Sequence, residues 1–232
     1  MLPRLFLLLL LGCPSLRAQV VDLPGLPRTP FYSIAGRGDT LLAGSADGLY
    51  ASSDAGLTWQ ALGQPAPEVT SIDALALTDH GWFAGTFGEG VYLSRDAGRT
   101  WLSQSGGLAG MGARHIMALH ERDGWLYAAT DGSGVFRLRV HPPGAWERYG
   151  TVFAEYEAES VHAMALHEGA LVVSSGGNGF VFAEHPDQGT WTPVPLGTQV
   201  LGFASAGDTL VAISSRQCRF STDGGLTWQH AA

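Results

Sequence analysis

One eight-residue pattern, S-x-D-x-G-x-T-W, constrains this chain more than any other feature, because it occurs at three places far apart. It runs Ser52-Ser53-Asp54-Ala55-Gly56-Leu57-Thr58-Trp59, then Ser94-Arg95-Asp96-Ala97-Gly98-Arg99-Thr100-Trp101, then Ser221-Thr222-Asp223-Gly224-Gly225-Leu226-Thr227-Trp228. Each residue type has a mechanical reason to be there. An aspartate can accept hydrogen bonds from backbone N–H groups one or two residues on and so close a tight turn. The glycine allows a backbone conformation that a Cβ would penalise. Thr and Trp then open a strand, where β-branched and aromatic side chains suit the pleat. The octet therefore predicts a hairpin turn carrying an aromatic anchor.

Around the octets, a unit of about 40 residues recurs. Its five copies fall near 31–62, 69–104, 114–149, 160–194 and 199–231. Each holds four short apolar segments separated by Gly, Asp or Ser; in the second they are Ile72–Leu77, Trp82–Thr86, Gly90–Leu93 and the stretch that Thr100 and Trp101 of the octet open. Segments this short between turn residues read as strands, not helices. Four antiparallel strands per repeat predict an all-β fold, a β-propeller of five four-stranded blades. The octet decays to a longer corner ending at Trp146 in the third unit, and to Asp187, Gly189, Thr190 and Trp191 in the fourth. A tryptophan thus closes every corner, and one blade cannot bury both of its faces. These tryptophans are expected to anchor blade against blade.

The 32 glycines and 12 prolines suit many turns, and the net charge of −8 argues against a nucleic-acid partner, which needs a basic stripe. Residues 1–18 read as a signal peptide: Arg4 precedes an apolar run from Leu5 to Leu11, too short to cross a bilayer as a mature helix. Two processing routes stay open. Leu10-Leu11-Gly12-Cys13 fits a lipobox and a lipid anchor at Cys13, the one membrane attachment expected; cleavage after Ala18 would leave Gln19 first. Either route predicts a bacterial protein outside the cytoplasm: periplasmic, secreted or surface-anchored. Residues 19–30 form a proline-rich extended lead-in. With Cys13 lipidated or removed, Cys218 has no disulfide partner and is expected to be a small buried hydrophobe.

The octets, each preceded by a Gly-Val-Tyr type strand, resemble the Asp-box (BNR-repeat) propellers. The run Gly85-Thr86-Phe87-Gly88-Glu89-Gly90-Val91-Tyr92-Leu93-Ser94 is most similar to the photosystem II stability/assembly factor-like branch. The resemblance spans about 31–231 and implies that Asp54, Asp96 and Asp223 are turn formers on the rim opposite the ligand face. It implies a role in binding or assembly, with a protein as partner. Relatives commonly have six or seven blades, so a closed five-bladed ring and an open ring completed by a partner both stay open.

On the opposite rim, the residue before the recurrent glycine of each unit is Asp47, Glu89, Ser133, Asn178 and, by alignment, Arg216. Asp131, Arg114, His115 and His162 lie close by in sequence. Together they are candidates for an axial mouth that binds a polar ligand or a partner's loop; the plainer reading is a solvated ring of turn residues. A sialidase-like or other glycoside-active propeller is the alternative. It would need two carboxylates across a sugar, for which Asp47 with Glu89 or Asp131 is conceivable, and aromatics at the mouth, for which Phe31, Tyr32 and Phe87 are candidates. The Arg-Ile-Pro strand typical of sialidases does not occur. No catalytic residue, cofactor or metal is expected: His115 and His120, like His162 and His167, are five apart and so lie on opposite faces of a strand. The stretch Glu155-Tyr156-Glu157-Ala158-Glu159 reads as a solvated connector.

Overall fold

The structure is a computed structural model that describes residues 23–177 and 179–230. The expected signal peptide, Cys13, the first residues of the lead-in and Asn178 lie outside the described residues.

Among the described residues, twenty strands form five separate four-stranded antiparallel sheets, each a simple meander. Blade one is β1 (Phe31–Arg37), β2 (Thr40–Ser45), β3 (Gly48–Ser52) and β4 (Gln60–Gly63). Blade two is β5 (Ile72–Thr78), β6 (Gly81–Thr86), β7 (Val91–Ser94) and β8 (Leu102–Ser103). Blade three is β9 (Ile116–Arg122), β10 (Trp125–Thr130), β11 (Gly134–Arg139) and β12 (Glu147–Arg148), and blade four is β13 (Val161–His167), β14 (Ala170–Ser175), β15 (Phe180–His185) and β16 (Thr190–Pro195). Blade five is β17 (Val200–Ala206), β18 (Thr209–Ser214), β19 (Cys218–Ser221) and β20 (Gln229–His230). Two single-turn helices, α1 (Met111–Arg114) and α2 (Val152–Glu155), interrupt the connections into blades three and four. No helix among the described residues is long and apolar enough to cross a membrane.

Both faces of an inner blade are buried, so its strands lack the apolar-polar alternation of a one-sided sheet. Leu75, Ala84, Tyr92 and Trp101 of blade two face Leu42, Leu49 and Leu62 of blade one, whereas Phe83, Val91 and Leu93 face Leu126, Phe136 and Trp146 of blade three. The next two interfaces repeat this with Trp191 and Trp228 as the aromatic anchors. Fully burying one Leu- or Phe-sized side chain contributes about 1.5–3 kcal/mol. Several such residues at each interface make blade stacking, not any one hydrogen bond, the main source of cohesion. The approach is close enough to demand glycine: a Cβ on Gly44 would lie 2.7 Å from Ile72, and one on Gly85 2.5 Å from Ile116.

The stack does not close. First strands of neighbouring blades pack in the order β1, β5, β9, β13, β17, and β17 does not pack back on β1 in this way. The outer face of blade one is partly covered by the lead-in. Leu23 and Leu26 lie against Tyr50 and Trp59, and Gly25, at φ +88°, passes so close to the Trp59 backbone that no side chain fits. The outer face of blade five is open. Cys218 lies on it and is exposed, contrary to the buried position expected from the sequence. Its counterparts Leu49, Val91, Val135 and Val181 are fully buried because a following blade covers each. Of the two ring forms left open by the sequence, the described chain takes the open one.

Candidate binding rim

The up-and-down course of each blade puts the octet turns and first hairpins on one face of the arc. The second-to-third strand loops and the interblade connections lie on the other. On the octet face the turn is built differently from the sequence expectation. Asp54 reaches four residues on, not one or two: its carboxylate accepts from the Thr58 amide at 2.9 Å, the Thr58 hydroxyl at 2.6 Å and the Ser52 hydroxyl at 2.7 Å. The Ser52 oxygen in turn accepts the Gly56 amide, and the Trp59 indole donates to the Gly56 carbonyl. Ala55 and Gly56 both take positive φ, +57° and +91°. Asp96, with Ser94, Gly98, Thr100 and Trp101, repeats this set, as does Asp223 with Ser221, Gly225, Thr227 and Trp228.

The threonine hydroxyl, then its amide and the serine hydroxyl, hold the Asp54 carboxyl at about 2; Asp96 is held at about 2 by its threonine in the same way. At Asp223, burial works upward, but the Thr227 and Ser221 bonds outweigh it and the carboxyl stays below its ordinary range. These aspartates are spent on their own turns. The fourth corner is not such a turn. There the Gln188 and Gly189 amides bond to the His185 carbonyl, Asp187 takes none of the octet bonds, and the buried Trp191 indole nitrogen has no partner.

The opposite rim carries a recurrent device that the sequence reading missed. Ser45, Thr86, Thr130, Ser175 and Ser214 end the second strand of their blades, and each hydroxyl donates to a carbonyl at the far end of the loop. This hydroxyl closes the loop from within. In blades two and three the loop is also tied to the next connection, Gly90 N–H donating to Arg114 O and Gly134 N–H to Glu159 O; in blade four the Leu196 N–H of the next connection donates to Gly179 O, and Gly176 N–H reaches back to Ser160 O in the preceding one. Phe87 pairs with His115, and Asp131 with Ser160, as single β-bridges.

These ties assemble a polar row across blades two to five. His115 lies between two carboxylates, with Nε2 3.6 Å from Asp73 and Nδ1 3.3 Å from Asp131. Asp131 also accepts the Ser160 hydroxyl and lies 3.7 Å from His162 Nε2. His162 continues the row to Gln199 at 3.0 Å, and Ser71 donates to Asp73 at 2.8 Å. Phe87 stands over His115 with ring centres 4.0 Å apart and is 55% exposed, an apolar platform beside the row.

His115 and Asp131 are thus brought together. Asp73 and Ser160, which the sequence did not single out, complete the cluster; only Asp73's place at the bulge that opens β5 and Ser160's in the connection into blade four could have flagged them. Glu89 and Arg114 flank the same loop, beside Tyr92, whose hydroxyl is pushed up to about 12 by burial and its bond to Glu68. Asp47 and Arg216 sit in the loops of the two end blades and make no ion pair among the described residues. An open arc keeps these ends apart, so the expected mouth is a row and not a ring. Phe31 packs on Tyr50 inside the blade-one face and is not an aromatic of the rim. No group of three His, Cys, Asp or Glu among the described residues is arranged to hold a metal ion. His120 is buried against the Met164 carbonyl, away from the rim, and burial lowers its pKa.

A second polar centre lies on the octet face, between blades three and four. Glu184 occupies the position of the octet serine in its blade: it falls opposite Leu171, one step beyond the Val172–Ala183 pair, as Ser94 pairs with Trp82. Its side chain is fully buried and forms a bidentate pair with Arg122 at 2.5 and 2.9 Å. It also accepts the Tyr149 hydroxyl and, at 2.7 Å, the Leu171 amide. Burial pushes the Glu184 carboxyl up, but Arg122, Tyr149 and the Leu171 amide outweigh it and hold it below the ordinary range. This centre joins blades; its groups are all taken up by one another.

Comparison with known proteins agrees with this architecture. A family model for the BNR/Asp-box repeat matches residues 219–230, the last octet and its flanks. No curated protein matches the chain. Among solved structures, "YCF48 bound to D1 peptide" superposes with a TM-score of 0.65 at 20% identity, over 92% of this chain and 70% of that one. A computationally designed protein, Ika8, gives 0.61 at 13% identity over 85% of this chain and 59% of its own. The GH74 xyloglucanase from Xanthomonas campestris gives 0.59 at 15% identity over 83% of this chain, which spans only 37% of the enzyme. At these identities the likeness is one of fold: the chain is a β-propeller of five blades with Asp-box turns.

Proposed function

We propose that the chain acts by binding, as a non-catalytic scaffold or assembly factor outside the cytoplasm that holds a segment of a partner protein on the rim of blades two to four. The observation that carries this reading is the row Asp73, His115, Asp131, Ser160 and His162, tied loop to loop by backbone bonds and flanked by the exposed ring of Phe87. Polar groups fixed in place before binding lose little entropy when a partner arrives, and an exposed aromatic supplies contact area. The likeness to YCF48, solved with a peptide, supports a polypeptide ligand. The likeness to a xyloglucanase keeps a glycoside-active reading as the second choice. Against it, the Asp73 and Asp131 oxygens are engaged by Ser71, His115, Ser160 and His162, and the His115 ring contacts both carboxylates.

The test is capture of partners from the native envelope extract by the protein and by a Phe87→Ala/His115→Ala variant, with a glycan array and a fluorogenic glycoside panel on the same samples. A stoichiometric protein partner lost in the variant, with the fold intact by circular dichroism, supports the scaffold. Turnover of a glycoside, or selective glycan binding with no protein partner, overturns it.

A further inference from the structure

The open face of blade five differs from its counterparts in a way that says what can cover it. Strand alternation and register put Ala204, Val211, Ile213, Cys218 and Phe220 on this face, with Leu201 at the bulge beside them and Thr209 and Gln229 at its margins. None is charged, in a chain of net charge −8. Leu201 and Ile213 are 57% and 43% exposed, whereas Leu42, Phe83, Tyr127 and Val172, at the position of Val211, are at most 3% exposed. An apolar sheet face left to water is an association site or an aggregation hazard.

Blade one, of this chain or of a second copy, is the obvious cover, and the structure argues against it. The position of Ile213 is Gly44, Gly85, Ala129 and Ser174 in the other blades. Those small residues let the next first strand approach, with Ile72 and Ile116 packing where a Cβ would stand. Ile213 fills that space, and the residue that blade one would bring to it is Phe31, larger still. Blade one therefore cannot dock on blade five in the internal geometry, either by closing the ring or by head-to-tail stacking of copies. Two identical faces meeting across a two-fold axis have no such demand. Sheets packed face to face stand about 10 Å apart, a space that Val, Ile, Leu and Phe from both sides fill.

We propose that the open face of blade five is a two-fold dimer interface, its occupant the same face of a second copy. Four strands about 4.8 Å apart and about five residues long make a flat face of roughly 300 Å². Even with side-chain relief, such a pair stays at the low end of interfaces, below about 1,200 Å² in total. The dimer is accordingly weak and populated only at high concentration. It leaves the rim of blades two to four free, so it stands or falls apart from the scaffold reading.

Sedimentation velocity of the full chain from about 1 to about 200 µM tests this. The expected result is a monomer–dimer equilibrium that stops at the dimer. Ile213→Glu should raise its dissociation constant at least about tenfold, and Ile34→Glu on the blade-one face should leave it unchanged. Should Ile213→Glu not fold, Leu201→Glu on the exposed bulge serves the same purpose. In a Cys13→Ser background, alkylation of Cys218 should slow as concentration rises, and not in the Ile213→Glu variant. A monomer at every concentration overturns the proposal. So does an assembly that grows past the dimer or is broken equally by Ile34→Glu, since either is head-to-tail.

Discussion

The Arg122–Glu184 pair is where a single substitution should cost most for its size. Arg122→Ala removes the cation and leaves a carboxylate whose side chain is fully buried. The Tyr149 hydroxyl and the Leu171 amide remain, but neither carries charge. Breaking one partner of a buried pair costs about 3–5 kcal/mol, because the other charge stays desolvated. The other ion pairs give the contrast. Arg37–Asp79, Arg137–Glu147 and Arg148–Glu159 are all substantially exposed, and such pairs contribute about 0–1 kcal/mol. Urea unfolding of the protein, Arg122→Ala, Glu184→Ala and the double variant measures the coupling. The double variant should be less destabilised than the sum of the singles by at least about 1 kcal/mol, since it leaves no unpaired charge.

The pH dependence has a definite sign. The folded Glu184 carboxyl lies below its ordinary value, so its contribution is present above the unfolded pKa and is lost as pH falls through the folded one. The urea midpoint should therefore fall on acidification below about pH 4.5, and less steeply in the double variant. An Arg122→Ala cost no larger than that of Arg148→Ala, or additive singles, would refute the reasoning.

Three further outcomes follow from the turns and anchors. Asp96→Ala should speed hydrogen exchange at the Thr100 amide, whereas Asp187→Ala, in a corner closed by the His185 carbonyl, should leave its own turn unchanged. Because Asp54 and Asp96 titrate near 2, below the unfolded value of about 3.9, protection at their threonine amides should be complete above about pH 4 and lost as pH falls toward 2. Trp146→Phe deletes the indole bond to the Gln104 carbonyl and should cost about 1 kcal/mol more than Trp191→Phe, whose indole nitrogen is buried without a partner; paired thermal melts would show the difference.

What the sequence determined by itself was local. Five repeats, four strands in each and three octet turns are set by patterns that close within a few residues, such as Ser94, Asp96, Gly98 and Thr100 within one turn. The corner tryptophans announced blade packing at Trp101, Trp146, Trp191 and Trp228, whereas Trp59, on the outer face of blade one, packs on the lead-in instead. Where a side chain acts across blades, the sequence was silent or misleading. His115 meets Asp73 and Asp131, and Arg122 meets Glu184 sixty-two residues on, only because stacked blades bring their edges together. Asp187 looked like its octet counterparts, yet Glu184 three residues earlier had replaced the serine that such a turn needs and turned to blade three. Cys218 carries every mark of a buried strand residue and is exposed, because burial in a propeller is conferred by the next blade and the described chain has none beyond the fifth. The bulk of Ile213 and Phe31, which bears on whether blade one can pack on blade five, has meaning only once the faces that carry them are placed opposite each other.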